Sequence, residues 1–333
     1  MSTISIISSW KKNIFKPLYW LEGEEEFFID EVMDYAEKNI LSEADASFNL
    51  TTFYGKDANW ADIINACRRY PMFAERQVVV LKEAQQMRDI DKLEPYIENP
   101  SKSTILVVSY KGKTLDGRGK LSKLIKKHGE VFLSKKVYEN QLPAWTNSYI
   151  QSKGLQITPR ALTLLVDHVG NDLSRIVNEI DKLSINLSAE KSINEDDIEK
   201  YIGISKEYNI FELQQAFSKK DLAKAMRILI YFESNPKAVP IQLILPSLYG
   251  YFTKIMSIHQ LRDKSAASIK PFFYNNPFLV DQALDTVRNY TYGDTEKIIL
   301  LLHDYNLKSL GINSHAATTG DLLKELAYKI MNG

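Results

Sequence analysis

The 333-residue sequence has a single cysteine, Cys67, so no disulfide can form within the chain. Such low cysteine content fits a reducing compartment. The sequence also lacks net charge, because 42 lysines and arginines balance 42 aspartates and glutamates. A neutral chain has no overall attraction to nucleic acid or to an anionic membrane. Any such binding must therefore come from a local patch or from partner proteins.

Long apolar runs are missing as well, since none approaches the roughly 20 residues that span a bilayer. Near the N-terminus, apolar residues precede Lys11 and Lys12, whereas a secretory signal begins with its basic residues. We therefore expect a cytoplasmic protein without membrane contact. Hydrophobic residues make up 44% of the chain and charged residues 25%, as in ordinary globular proteins. The length favours two or three domains.

The first part of the chain alternates strand patterns with helix patterns, which is typical of an α/β domain. Strands are predicted at 18–22, 49–54, 76–82, 104–109 and 130–134. Between them, apolar residues recur at helical spacing in 25–41, 58–70 and 118–127. Asp57 is placed as the N-cap of the second of these helices. The strands at 76–82 and 104–109 are apolar almost throughout, which indicates a parallel sheet covered on both faces.

After about residue 140 the patterns are helical only. Helices are predicted at 141–152, 158–169, 172–187, 194–202, 209–218, 221–233, 239–262, 277–290, 294–309 and 320–331. We predict an α/β domain over residues 1–138, a small helical domain over 139–205 and a longer helical domain over 206–333.

The loop after the first strand tests whether the α/β domain binds a nucleotide. A phosphate-binding loop needs a second glycine and a lysine, but Phe28 and Ile29 stand at those positions. Residues 24–26 are three glutamates, and each like-charge contact with a phosphate costs about 4 kcal/mol at a separation of ~4 Å. Lys82 follows the apolar residues 78–81, at the position where a working site has a metal-binding aspartate. We expect no nucleotide cofactor.

Other catalytic chemistry has no basis in the sequence. The five histidines lie far apart and show no metal-binding spacing, and no G-x-S-x-G turn occurs. Cys67 falls on the apolar face of its predicted helix, which favours a buried structural thiol over a nucleophile. We therefore predict no catalytic residue, no metal and no cofactor.

The connection after the 58–70 helix carries two large apolar residues. Pro71 ends the helix, and Met72 and Phe73 follow it directly. Such residues either fold back into the core or are offered to a partner. Residue type alone favours the core.

A basic stretch occupies the 111–127 region. Its members are Lys111, Lys113, Arg118, Lys120, Lys123, Lys126 and Lys127. The common interpretation is a solvated helix face opposite an apolar stripe. The functional alternative is contact with the phosphates of DNA.

Several stretches, in this order and spacing, resemble the delta subunit of bacterial DNA polymerase III. They are residues 18–25, 70–81, 170–173 with 179–183, 193–198 and 211–213. Within them, Pro71, Met72 and Phe73 followed by the 76–81 run resemble the family pattern of a helix-ending P-[LM]-F before R-x-V-V-x-[IL].

The resemblance implies an AAA+-like parallel-sheet domain with a degenerate phosphate loop, a helical lid and a C-terminal helical collar. It implies a non-catalytic clamp-loader subunit that binds and opens the DNA sliding clamp during replication. In that role Met72, Phe73 and Pro71 would bind a hydrophobic pocket on the clamp. The collar would join other loader subunits in a hetero-oligomeric ring around primer-template DNA. The chain would have no active site of its own within a DNA-directed DNA polymerase holoenzyme.

Two other functions stay open at this point. An active AAA+ ATPase or helicase loader would require the phosphate loop that residues 24–30 do not provide. A DNA-binding adaptor would act through the basic stretch without a clamp.

Overall fold

The computed structural model describes residues 3–187, 192–205, 207–236, 239–274, 276–312 and 318–332, except for the side chain of residue 4. The chain forms two compact units, residues 1–137 and 138–333. No helix in the described ranges is long and apolar enough to cross a membrane.

The first unit is a parallel sheet with helices on both faces. Its helices are α1 (Thr3–Lys11), α2 (Glu26–Asn39), α3 (Glu43–Asn49), α4 (Trp60–Arg68), α5 (Glu94–Glu98) and α6 (Lys120–His128). Its strands are β1 (Leu18–Gly23), β2 (Leu50–Tyr54), β3 (Gln77–Lys82), β4 (Thr104–Lys111) and β5 (Glu130–Ser134). Short 3₁₀ turns cover Ala84–Gln86 and Ile90–Leu93.

The strand order is β2-β3-β4-β1-β5, with every neighbouring pair parallel. Alternate residues of each strand face opposite cores. Leu18 and Trp20 pack with α4, α5 and α6 on one face. Tyr19 and Leu21 pack with α1 and α2 on the other. Because both faces are covered, the central strands are apolar throughout, as the sequence predicts.

The sequence prediction needs two corrections in this unit. The N-cap of α4 is Asn59, whose side chain accepts a hydrogen bond from the Ala61 amide at 2.8 Å, and not Asp57. Helices α1, α3 and α5 are absent from the prediction. Helix α3 has only seven residues and leaves Phe48 exposed, so it shows no apolar stripe.

The second unit is mainly helical. Its helices are α7 (Leu142–Ser152), α8 (Pro159–Val169), α9 (Leu173–Asn186), α10 (Glu195–Asp197), α11 (Ile210–Ser218), α12 (Leu222–Ser234), α13 (Ile241–His259), α14 (Ala266–Ile269), α15 (Pro277–Asn289), α16 (Tyr292–Ser309) and α17 (Thr319–Asn332). A π-helical turn covers Ile198–Ile202 and a 3₁₀ turn covers Lys270–Phe273. Contrary to the helix-only prediction, β6 (Gln156–Ile157) and β7 (Ser192–Ile193) form a short parallel pair.

Direct contacts join the two predicted helical domains inside this unit. Arg160 of α8 pairs with the buried Glu212 of α11 at 2.6 Å. The side-chain Nδ2 of Asn276 donates a hydrogen bond to the hydroxyl of Thr163 at 2.8 Å. The division of the chain into domains 1–138, 139–205 and 206–333 stays a prediction.

Candidate functional site

The connection between α4 and β3, residues 69–76, carries exposed aromatic and apolar side chains. Tyr70 is 88% exposed, Met72 52% and Phe73 96%. Residue type alone favoured the core for Met72 and Phe73, and that interpretation is wrong. The hydrophobic effect opposes leaving a phenylalanine in water. The side chains are therefore available to a partner.

Asn49, the last residue of α3, forms hydrogen bonds with the backbone of this connection. Its side-chain Oδ1 accepts a hydrogen bond from the Met72 amide at 2.7 Å, and its Nδ2 donates one to the Met72 carbonyl at 2.9 Å. Asn49 is only 2% exposed. A buried amide with both groups satisfied in this way fixes the backbone that it contacts.

Gln77, the first residue of β3, secures the beginning of the same connection. Its buried Nε2 donates hydrogen bonds to the carbonyls of Ala66 and Arg69, at 3.0 and 2.7 Å. The hydroxyl of Thr104 donates to the Cys67 carbonyl at 2.7 Å. The last carbonyls of a helix have no partner within the helix. These bonds satisfy them and tie the end of α4 to β3 and β4.

Phe73 has a backbone conformation that few bulky residues adopt. Its φ is +54°, in the left-handed region, which costs a residue with a Cβ roughly 1–2 kcal/mol. Such conformations persist only where the surroundings impose them, and they cluster at binding sites. The fixed Met72 peptide supplies that constraint directly before Phe73.

A second region of interest is the loop after β1, at the opposite end of the sheet. Gly23 has a φ of +135°, and a Cβ built there would lie 1.9 Å from the Ser134 carbonyl oxygen. The Lys111 ammonium lies 2.7 Å from the Asp30 carboxylate and 3.8 Å from that of Glu26. The positive charge of Lys111 is thus already paired with acidic residues of the first two turns of α2. A phosphate bound here would have to displace these ion pairs.

At the end of β3, an ion pair likewise lies where a nucleotide-binding site would hold magnesium. Lys82 stands where a working site has a metal-binding aspartate. Its ammonium pairs with the Glu37 carboxylate at 2.8 Å. Both charges are thereby compensated within the protein, and neither is arranged to hold magnesium.

Comparisons with known proteins show what this chain is similar to. Residues 19–135 match the family described as "DNA polymerase III, delta subunit". The "DNA polymerase III subunit delta" of Bacillus subtilis (strain 168) is 25% identical over 316 residues, which cover 90% of each chain. The resemblance to this family that the sequence predicts is confirmed.

A solved structure from the same organism has a similar fold. The chain is similar to the "Bacillus subtilis DNA clamp loader delta protein" with a TM-score of 0.60 and 23% identity. The similarity covers 99% of this chain and 100% of that one. The predicted fold class, a parallel-sheet α/β domain followed by helices, is confirmed.

The basic stretch is more fully paired than its sequence implies. Lys111 pairs with Asp30, Arg118 with Asp116 at 3.2 Å and Lys120 with Glu94 at 2.9 Å. Lys113 lies over the ring of Tyr110. In the described part of the chain, no ion pair is recorded for Lys123, Lys126 or Lys127. These three side chains are exposed on α6 and form the α6 lysine patch.

Cys67 is buried on the inner face of α4, as predicted. Burial raises the pKa of its thiol to about 12, so the reactive thiolate is not formed at neutral pH. Among the described residues, no group of three histidine, cysteine or acidic side chains is arranged to hold a metal ion.

Sequence reasoning located Met72 and Phe73 but missed Asn49 and Gln77. Both positions belong to the predicted strand runs, where a polar residue is easily taken for a strand end. The available clue was that each is an amide side chain directly before a stretch rich in β-branched or aromatic residues.

We expect Phe73→Gly to leave the free energy of unfolding unchanged or to raise it by up to about 1 kcal/mol. Glycine relieves the left-handed strain, and this gain offsets its larger entropy in the unfolded chain. Chemical denaturation of the variant measures the effect. As a control, Phe132→Ala removes a core ring of the same unit and should cost about 3–5 kcal/mol. A similar loss for Phe73→Gly would show that Phe73 is buried in solution.

We also expect no saturable binding of magnesium-ATP to the purified chain. The acidic side chains of the loop after β1 repel the triphosphate, and Lys111 is held by Asp30. Isothermal titration calorimetry with and without magnesium tests this. Magnesium-dependent binding would restore the ATPase alternative.

Proposed function

We propose that this chain is a non-catalytic clamp-loader subunit that binds and opens the DNA sliding clamp in the cytoplasm. The observation that carries the proposal is the almost fully exposed Phe73, beside Met72, on a connection fixed by buried hydrogen bonds. The similar Bacillus subtilis structure, described as a DNA clamp loader delta protein, supports the same role. Under this proposal the chain contributes binding energy, and chemistry belongs to other holoenzyme subunits.

Met72 and Phe73 are suited to fill an apolar pocket on the clamp. Burial of each side chain contributes roughly 1.5–3 kcal/mol. Large apolar residues that enter a pocket at the centre of an interface dominate binding energy. Pro71, which ends α4, sets the direction in which the chain leaves the helix.

Opening a closed ring requires that the subunit bind the open or strained ring more tightly than the closed one. Helix α4 lies beside the exposed pair and is packed rigidly on the sheet through Ile63, Ile64 and Cys67. In our proposal α4 meets the clamp next to the pocket and favours a displaced clamp interface. The same proposal assigns residues 139–205 to the lid and 206–333 to the collar that joins the other loader subunits.

We expect Met72→Ala/Phe73→Ala to abolish measurable high-affinity clamp binding, and Phe73→Ala alone to weaken it by about 2–4 kcal/mol, a factor of roughly 30 to 1,000. Surface plasmon resonance with the sliding clamp of the same organism measures both. Phe278→Ala is the matched control, because Phe278 is a 59% exposed phenylalanine of the second unit. Unchanged affinity in a folded Phe73→Ala variant would exclude Phe73 from the interface.

The α6 lysine patch favours a second contact, with the phosphates of primer-template DNA in the assembled loader. Three exposed lysines on one helix, with no ion pair to any described acidic residue, keep their attraction for phosphate. The DNA-binding adaptor alternative uses the same patch but requires tight DNA binding by the isolated chain and no affinity for the clamp.

We expect Lys123→Gln/Lys126→Gln/Lys127→Gln to reduce the salt dependence of DNA binding by the assembled loader. Each lost phosphate contact lowers the slope of log K against log salt by about 0.9, so the slope falls by up to about 2.7. Fluorescence anisotropy over a salt series measures it. Lys38→Gln is the control, since Lys38 is paired with Asp34 on α2. An unchanged slope would assign the patch to a solvated helix face.

A further inference from the structure

We propose that Asn49 is a positioning residue that holds Met72 and Phe73 in their binding conformation before the partner arrives. This inference rests on the proposed function and adds a residue outside the connection to it. Asn49 does not belong to the α4–β3 connection, and its buried side chain is not exposed to a partner.

The first step of the argument concerns the two hydrogen bonds between Asn49 and Met72. One side-chain amide satisfies both the N–H and the C=O of the same residue, at 2.7 and 2.9 Å. A carboxylate could accept from the N–H but has no donor for the carbonyl, and a hydroxyl is too short to serve both groups in one plane. The asparagine therefore constrains the peptides on both sides of Met72.

The second step concerns what fixes Asn49 itself. Its Nδ2 also donates to the carbonyl of Asp45, one turn earlier in α3, at 3.1 Å. Helix α3 is capped by Ser42, whose hydroxyl accepts from the Asp45 amide at 3.1 Å. Because Leu50 then enters β2 and pairs with Val78 of β3, the Asn49 backbone is held between a capped helix and the sheet.

The third step concerns the side chains that the bonds leave exposed. An apolar pair on a surface connection lowers its free energy by folding onto neighbouring apolar surface. Phe73 instead keeps a left-handed φ of +54° and remains 96% exposed. The Met72 peptide, held by Asn49, opposes that collapse. A residue held in its bound conformation loses less freedom on binding, and this raises affinity without any new contact.

Asn49→Ala tests the inference in two independent ways. Without any clamp, the Met72 amide should exchange its hydrogen at least about tenfold faster, because its acceptor is gone. With the clamp, affinity should fall by about tenfold, or about 1.4 kcal/mol. In the Phe73→Ala background the same substitution should lower affinity by a clearly smaller factor, because only Met72 of the exposed pair is then left to be positioned.

Asn209→Ala is the matched control, since Asn209 is another buried asparagine, which caps α11 in the second unit. It should leave both Met72 exchange and clamp affinity unchanged. If Asn49→Ala does not fold, Asn49→Asp carries the affinity test, because the nearly isosteric carboxylate keeps an acceptor for the Met72 amide but lacks the donor for the Met72 carbonyl.

The outcomes separate this inference from the proposed function. Weak clamp binding by Phe73→Ala together with normal binding and normal Met72 exchange in the Asn49 variant would overturn the positioning role and keep the proposed function. Equal losses from Asn49→Ala in the wild-type and Phe73→Ala backgrounds would also overturn it, because they indicate a general structural effect. Faster Met72 exchange without any clamp binding by the wild type would contradict the proposed function instead.

Discussion

The parallel pairing of β2 and β3 is the constraint on which the candidate surface depends. Leu50 pairs with Val78, so the residues just before them, Asn49 and Gln77, reach the same end of the sheet. One holds the middle of the α4–β3 connection and the other holds its beginning. Since the amino ends of parallel strands lie together, a connection entering β3 can be braced by the residue entering β2. The exposed pair depends on this arrangement.

The two ends of the parallel sheet carry different kinds of side chain. The carboxyl ends of the strands form the usual ligand site of an open α/β fold, and here internal ion pairs of Lys111 and Lys82 lie at that end. The amino end instead presents Met72 and Phe73. A domain without a phosphate loop still supplies a rigid body, and under our proposal its function lies in a surface that needs only rigidity and exposed apolar area.

How far the sequence predicts this structure depends on the range of the interactions. The buried strands are predictable because β3 and β4 are nearly continuous apolar runs. The exposed pair is predictable only through the family resemblance, because residue type alone placed Phe73 in the core. The neutralisation of Lys111 is not predictable, because Asp30 lies 81 residues away along the chain. Short elements such as α3 and the β6–β7 pair have no periodicity to detect.

The exposure of the Phe73 ring and the hydrogen bonds to Met72 together explain the strained backbone at Phe73. A glycine at position 73 would adopt the left-handed conformation freely, but it would bring no apolar surface to a partner. Phenylalanine brings that surface at a conformational cost of roughly 1–2 kcal/mol. The buried hydrogen bonds of Asn49 offset this cost within the folded chain. Local strain of this kind is expected at binding sites rather than in the core. A backbone outlier, a buried polar contact and an exposed ring therefore describe one feature of the molecule: a connection whose conformation is set before binding.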